Sequence, residues 1–257
     1  MRRQFRENPE EARKITRLWK IIRGAIDSRQ SGKVQSVLDA LCVSKYARVL
    51  DASCGTGHLV PVALQDTREW YFSDGDVAMV NETASLLQTH PHLLRRLRRS
   101  FWQELHETFQ HSMFNLVFVL GNSLPYACNW GDGKHEEQVR EEGIQALKES
   151  FSAILSCLDI GGLFLFDLIK DKHAKYEIPE MEVDGTLVRP FVDAQHHDGI
   201  RHWSFGTNLE SHTIKGLDID FDLVRNLLLG AGFRKVEMLP KKLDIDPFCY
   251  RLCVAYK

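Results

Sequence analysis

A short apolar strand that runs straight into a two-glycine turn and then a helix constrains this chain more than any other feature. Ala47-Arg48-Val49-Leu50-Asp51 reads as the strand, Cys54-Gly55-Thr56-Gly57 as the turn, and a helix follows from near His58 to Leu64. A strand that leaves its sheet through a helix returns by a crossover, so its neighbours are expected to run parallel to it. The pattern then repeats. Trp70–Asp74 is a second strand, followed by a helix over Val77–Gln88. Phe114–Leu120 is continuous enough to be a strand buried on both faces, as parallel strands are. A long helix is expected from about Lys134 to Leu158, stopping at Gly161-Gly162, two glycines suited to a left-handed C-terminal turn. Leu163–Asp167 is another buried strand. This alternation predicts the α/β class: a doubly wound, mostly parallel sheet with helices on both faces.

Two helices precede it, over Glu10–Ile26 and Gly32–Leu41. Beyond Leu168 the regularity fails. The stretch from about 171 to 216 carries Pro179, Pro190 and many His and Asp residues, with weak β segments near Thr186–Phe191 and Ile200–Thr207. The α/β signal returns with a helix over Phe221–Leu229 and strands near Lys235–Leu239 and Cys249–Tyr256. With 257 residues, 44% of them hydrophobic, one sizeable core is expected. The organisation predicted is a main domain over 45–257 with an insertion at about 171–216, preceded by helices in 1–44.

The net charge of −2 points to neither a nucleic-acid binder nor a membrane-surface protein. The first twenty residues mix Arg, Lys and Glu, unlike a secretory signal. Cys42, Cys54, Cys128, Cys157, Cys249 and Cys253 form no CxxC pair and read as buried free thiols, so a cytoplasmic location is expected.

Gly55 and Gly57 stand where backbone N–H groups can approach a ligand. A dinucleotide fingerprint would need a third glycine where Val60 stands. Asp51, directly below the loop, would repel a pyrophosphate but could accept from a cationic amine. S-adenosylmethionine offers such an ammonium, and a carboxylate for the loop N–H groups. Asp74 ends the next strand, where a carboxylate can accept from ribose hydroxyls.

Val49-Leu50-Asp51-Ala52-Ser53-Cys54-Gly55-Thr56-Gly57 resembles the first motif of Rossmann-like (class I) S-adenosylmethionine-dependent methyltransferases. Asp74 matches their ribose-binding acid, and Leu158-Asp159-Ile160-Gly161-Gly162-Leu163 their segment before the fifth strand. The match covers about 45–170 and 217–257. Ser53 stands where many members have Gly or Ala. The resemblance implies a donor site formed by Asp51, Ser53, Gly55, Gly57, Asp74, Gly75, Phe101, Trp102 and Leu120. Trp102 falls where an indole stacks on adenine.

Phe118-Val119-Leu120-Gly121-Asn122-Ser123-Leu124-Pro125-Tyr126 is similar to the strand-end signature of the glycine and sarcosine N-methyltransferases. This implies transfer to a small polar acceptor, as N-methylation of an amine, amino acid or guanidino compound. Asn122 and Tyr126 would orient the acceptor nitrogen, and Trp19, Lys170 and His202 would complete its pocket. That family has an Arg after the fifth strand to hold a carboxylate; here the position is Ile169, with Lys170 beside it and Arg189 as a further candidate. Its His after the Asn-Ser pair is Tyr126. Glycine is therefore expected to be a poor acceptor, with Asp193, His196, His197 and His202 supplying contacts to another one.

Other signals compete. Arg95-Arg96-Leu97-Arg98-Arg99 reads as a solvated helix face or loop, and as a docking surface it would suit an RNA or protein methyltransferase. A non-catalytic S-adenosylmethionine-binding regulator is the other alternative. His196, His197, His202 and His212 lack zinc-ligand spacing, so no metal is expected. The expected partner is a small molecule rather than nucleic acid or a membrane; a homo-oligomer stays open.

Overall fold

The computed structural model describes residues 9–27, 31–127, 136–169, 174–197, 199–245 and 250–257. Helices α1 (Pro9–Asp27) and α2 (Ser31–Ala40) lead into β1 (Arg48–Asp51), α3 (Val60–Gln65), β2 (Glu69–Asp74) and α4 (Val77–Leu86). The short helices α5 (Pro91–Leu94) and α6 (Leu105–Thr108) flank β3 (Leu97–Arg99), before β4 (Phe114–Val119), α7 (Glu136–Cys157) and β5 (Leu158–Ile169). Then come β6 (Ala174–Glu177), β7 (Met181–Val183), β8 (Thr186–Val188), β9 (Phe191–His197), β10 (Ile200–Gly206) and β11 (Ser211–Leu217). Helix α8 (Phe221–Ala231), β12 (Lys235–Met238) and β13 (Tyr250–Tyr256) close the chain.

Seven strands form one sheet in the order β12-β13-β5-β4-β1-β2-β3, with β13 antiparallel to both its neighbours and the other pairings parallel. The α/β, doubly wound, mostly parallel architecture follows from the strand alternation. Along β4, Leu116 and Phe118 face a core shared with α2, α3 and α5, while Val117 and Val119 face a second core under α7 and α8. Burial on both faces is why this strand reads as one apolar run. The winding reverses between β1 and β4, which opens a crevice at their carboxyl ends.

The segment from β6 to β11 forms a four-stranded antiparallel sheet, β11-β10-β9-β6, and a separate β7–β8 hairpin. Its inner face carries Val192, Ala194, Trp203 and Phe205. Ile15, Leu18 and Ile22 of α1 pack on that face, and Met79 and Tyr250 join this third core to the main domain. Exposed ion pairs, Arg17 with Glu210 and Lys20 with Glu82, border α1 but add little to the apolar contact.

Three expectations are corrected. Helix α7 ends at Cys157, and Gly161-Gly162 lie inside β5. Backbone N–H groups of Ser112 and Met113 take the carbonyls of Ser156 and Cys157, so the helix end needs no glycine turn. Instead the β4–β5 pairing slips from Phe114↔Leu158 to Leu116↔Leu163, and Gly161 (φ 76°) lets the extra residues loop out.

The basic run is a loop only in its first half: Arg95-Arg96 form the turn after α5, and Leu97–Arg99 is an edge strand paired with β2. Arg96 bonds Glu69 at 2.6 Å and lies over the Tyr71 ring; Arg99 bonds the Gly75 carbonyl at 3.2 Å and lies over Phe101. Cys42 is exposed, whereas Cys54, Cys157 and Cys253 are buried as expected. Lys170, Cys128 and Cys249 lie outside the described residues.

Candidate active site

The loop after β1 is held by Asp74, the last residue of β2, and by Thr83 of α4. Gly55 (φ 53°) and Gly57 (φ 86°) adopt left-handed conformations, and a Cβ on Gly57 would meet Leu86 at 2.7 Å. Asp74 accepts from the N–H of Gly55 at 3.0 Å and of Asp76 at 2.9 Å, and Thr83 donates to the Gly55 carbonyl at 2.9 Å. The Phe101 ring lies where a Cβ on Gly75 would sit, at 2.5 Å, which requires glycine there.

Ser53 uses its hydroxyl to tie β1 to β4. Its Oγ donates to the Leu120 carbonyl at 3.2 Å and accepts from the Leu120 N–H at 2.9 Å. A Gly or Ala at this position would leave that pair of bonds unmade, so the departure in the motif has a structural use. Trp102 donates from its indole N–H to the Ala52 carbonyl at 2.6 Å, which anchors it to the same loop.

Asp51 is fully buried. One carboxyl oxygen accepts from the Ser53 N–H at 3.2 Å; the other, Oδ2, has no hydrogen-bond partner among the described residues. Burial pushes this carboxyl up to about 8, aided by the Asp74 carboxylate and opposed by the Ser53 N–H and the Arg23 guanidinium. Arg23 reaches the site from α1 and is itself buried. Burial, then the same guanidinium, holds His58 well below the usual imidazole range, as a neutral ring.

Across the crevice, Asp167 at the end of β5 accepts from the backbone N–H of Gly121 at 2.8 Å and of Asn122 at 2.6 Å. This fixes Asn122 in a left-handed conformation (φ 53°) with its side chain buried. The Asn122 Oδ1 accepts from the Arg201 guanidinium at 3.3 Å. Arg201 is 1% exposed and also donates to Asp218 and to the Ile219 carbonyl, each at 3.4 Å. Asp218 in turn lies 2.8 Å from His196 Nδ1. The Tyr126 hydroxyl is buried near Arg201, and burial raises it above the usual phenol range.

Of the acceptor residues expected from sequence, the structure brings Asn122, Tyr126 and Trp19 together. Trp19 packs edge-on against Phe205 at 5.5 Å, and its indole lies 3.8 Å from where a Cβ on Gly121 would stand. His202 and Asp193 fall on the outer face of the insertion sheet, because they alternate with Arg201, Trp203 and Ala194 on the inner one. Arg189 is exposed and paired with Glu180. Sequence reasoning missed Arg23, His58, Asp167, Arg201 and Asp218. A signal existed for two of them: Arg23 lies on the apolar stripe of α1, and Arg201 is in phase with Trp203 and Phe205.

No protein-family profile matches the chain, and no curated protein matches it by sequence. Solved structures of similar fold do exist. An S-adenosylmethionine-dependent methyltransferase from Clostridium acetobutylicum superposes with a TM-score of 0.63 at 16% identity, covering 92% of this chain and 94% of its own. An amino pentose methyltransferase from Micromonospora echinaspora, with S-adenosylmethionine bound, gives 0.59 at 15% identity over 100% and 99%. A glycopeptide N-methyltransferase complexed with S-adenosylhomocysteine gives 0.57 at 14% over 88% and 89%. The fold is that of the Rossmann-like methyltransferases.

Proposed function

We propose that this protein transfers a methyl group from S-adenosylmethionine to a nitrogen of a small polar acceptor. The observation that carries this reading is the Asp51 Oδ2: a buried carboxyl oxygen with no hydrogen-bond partner among the described residues, beside a positive-φ glycine loop at the sheet's reversal point. A ligand ammonium fits that oxygen. Gly55 and Gly57 leave backbone room beside it, the Asp74 carboxylate at the end of β2 suits ribose hydroxyls, and Phe101 and Trp102 flank the loop for adenine. The three neighbours described above are methyltransferases, two of them named for amino pentose and glycopeptide substrates, which supports a small or compact acceptor.

S-adenosylmethionine supplies an electrophilic methyl carbon on a sulfonium and departs as a thioether. The chain's own tasks are to hold the acceptor nitrogen neutral, about 3–3.5 Å from that carbon and in line, and to exclude water. Asn122 and Tyr126 at the end of β4 serve orientation; α1, with Trp19, covers the crevice. Calorimetric titration with S-adenosylmethionine tests the donor site. Asp74→Asn removes one acceptor oxygen while keeping the outline, so its affinity is expected to fall by about 1–3 kcal/mol, roughly five- to 150-fold. Unchanged affinity in a folded variant refutes the reading. A panel of small amines and amino sugars, assayed for S-adenosylhomocysteine, tests the transfer.

A further inference from the structure

We propose that Arg201 determines acceptor specificity, and that it selects acceptors carrying an oxygen hydrogen-bond acceptor beside the methylated atom. This rests on the proposed methyl transfer and deepens it. The strand registers set the argument. His196, Arg201 and Gly216 lie opposite one another in one row of the insertion sheet, on the inner face. A Cβ on Gly216 would stand 2.9 Å from the Tyr126 ring, so the row abuts the loop after β4. Arg201 is thus delivered to Asn122 and Tyr126 by a sheet, a rigid support.

A guanidinium has donors and no acceptor. Asn122 therefore turns Oδ1 toward Arg201, as observed, and its NH₂ group faces the other way. That Nδ2 is buried with no hydrogen-bond partner among the described residues; so are Arg201 Nε and the Tyr126 hydroxyl. Two of these three atoms can donate and cannot accept, and the third can donate. A group of buried donors is complementary to lone pairs: a carboxylate, carbonyl or hydroxyl oxygen on the acceptor satisfies it. Asp218 balances the guanidinium charge, so a neutral oxygen suffices. A guanidinium head or a bare alkylammonium would set donors against donors. The arrangement thus narrows the acceptor to oxygen-bearing amines and replaces the expectation of guanidino compounds.

The test uses the full chain saturated with S-adenosylhomocysteine and three probes of similar size: acetate, acetamide and ethylamine. Binding is followed by ligand-observed NMR titration, and donor-product binding is measured separately by calorimetry. Acetate and acetamide are expected to bind more tightly than ethylamine. Asn122→Asp, which puts an oxygen where the NH₂ stood, is expected to weaken acetate at least tenfold and to strengthen ethylamine. Arg201→Lys, which keeps the charge but not the fork, is expected to weaken acetate and acetamide about tenfold with unchanged S-adenosylhomocysteine affinity. Failure of acetate and acetamide to outbind ethylamine overturns the proposal, as does a folded Arg201→Lys that binds all three like the native chain, marking a purely structural cluster. Failure of S-adenosylhomocysteine to bind the native chain instead refutes the methyltransferase reading.

Discussion

Asp51 presents a carboxyl group out of contact with water, with one oxygen that no described protein group satisfies. Burial has pushed it up to about 8, so near pH 7 most molecules hold it protonated before ligand arrives. A ligand ammonium favours the carboxylate and lowers that value, so binding below about pH 8 releases a proton. Affinity for S-adenosylmethionine is then expected to rise with pH up to about 8 and level off. Calorimetry at pH 7 in phosphate and in Tris reads the released proton as different apparent enthalpies; Asp51→Asn abolishes the difference. Equal enthalpies in the native chain would overturn this assignment. The linkage also bears on stability. The folded value lies above the ordinary carboxylate range, so from about pH 4 to 8 the folded state binds the extra proton. The ligand-free protein loses stability as pH rises through that window, and bound donor offsets the loss. Asp51 and Asp74 were legible in sequence because a carboxylate at a strand end is a local pattern. Arg201 was not, because its partners Asn122 and Asp218 stand 79 and 17 residues away in the chain.

At the scale of elements, the glycine loop makes a paired prediction. Gly57 combines φ 86° with a Cβ position 2.7 Å from the end of the Leu86 side chain, so Gly57→Ala must strain the backbone and displace that side chain. Gly32, in helix α2, has nothing within 4 Å of its Cβ position and no positive φ. Gly32→Ala is expected to stabilise by about 0.4–1 kcal/mol, and Gly57→Ala to destabilise by more than that and to weaken the donor. Denaturant midpoints decide it; similar shifts in both variants would deny the loop its special geometry. The same scale explains what the sequence concealed. Strands β1, β2, β4 and β5 announce themselves because burial on two faces makes them apolar runs. Strand β3 offers Leu97 as its one buried residue, with Arg98 and Arg99 exposed at the sheet edge, so it reads as a charge cluster. Strand β10 alternates buried and half-buried residues from Arg201 to Phe205, but its inner face includes Arg201 itself, which breaks the apolar pattern at the proposed acceptor site.

Among the described residues three buried clusters hold the molecule together, and they are unequal. Two lie on the faces of the seven-stranded sheet and share its central strands; the third joins α1 to the insertion sheet and meets the rest of the molecule through Met79, Tyr126, Ile169 and Tyr250. A cluster attached through few residues can open without the rest. The proposed acceptor site spans that join, since Asn122 and Tyr126 belong to the main domain and Arg201 to the insertion. Leu18 is fully buried at the centre of the contact, and Leu18→Ala is expected to cost about 2–5 kcal/mol locally. If the third cluster is a cooperative unit, that loss is confined to it. Hydrogen exchange in Leu18→Ala is then expected to accelerate across Phe191–His197, Ile200–Gly206 and Ser211–Leu217 while Arg48–Asp51 and Phe114–Val119 stay at native rates. Acceptor-probe binding would weaken with it, because Arg201 would no longer be held against Asn122, whereas S-adenosylhomocysteine binding at Asp74 would change less. Acceleration spread evenly over all five segments would show one cooperative unit and remove the insertion's independence.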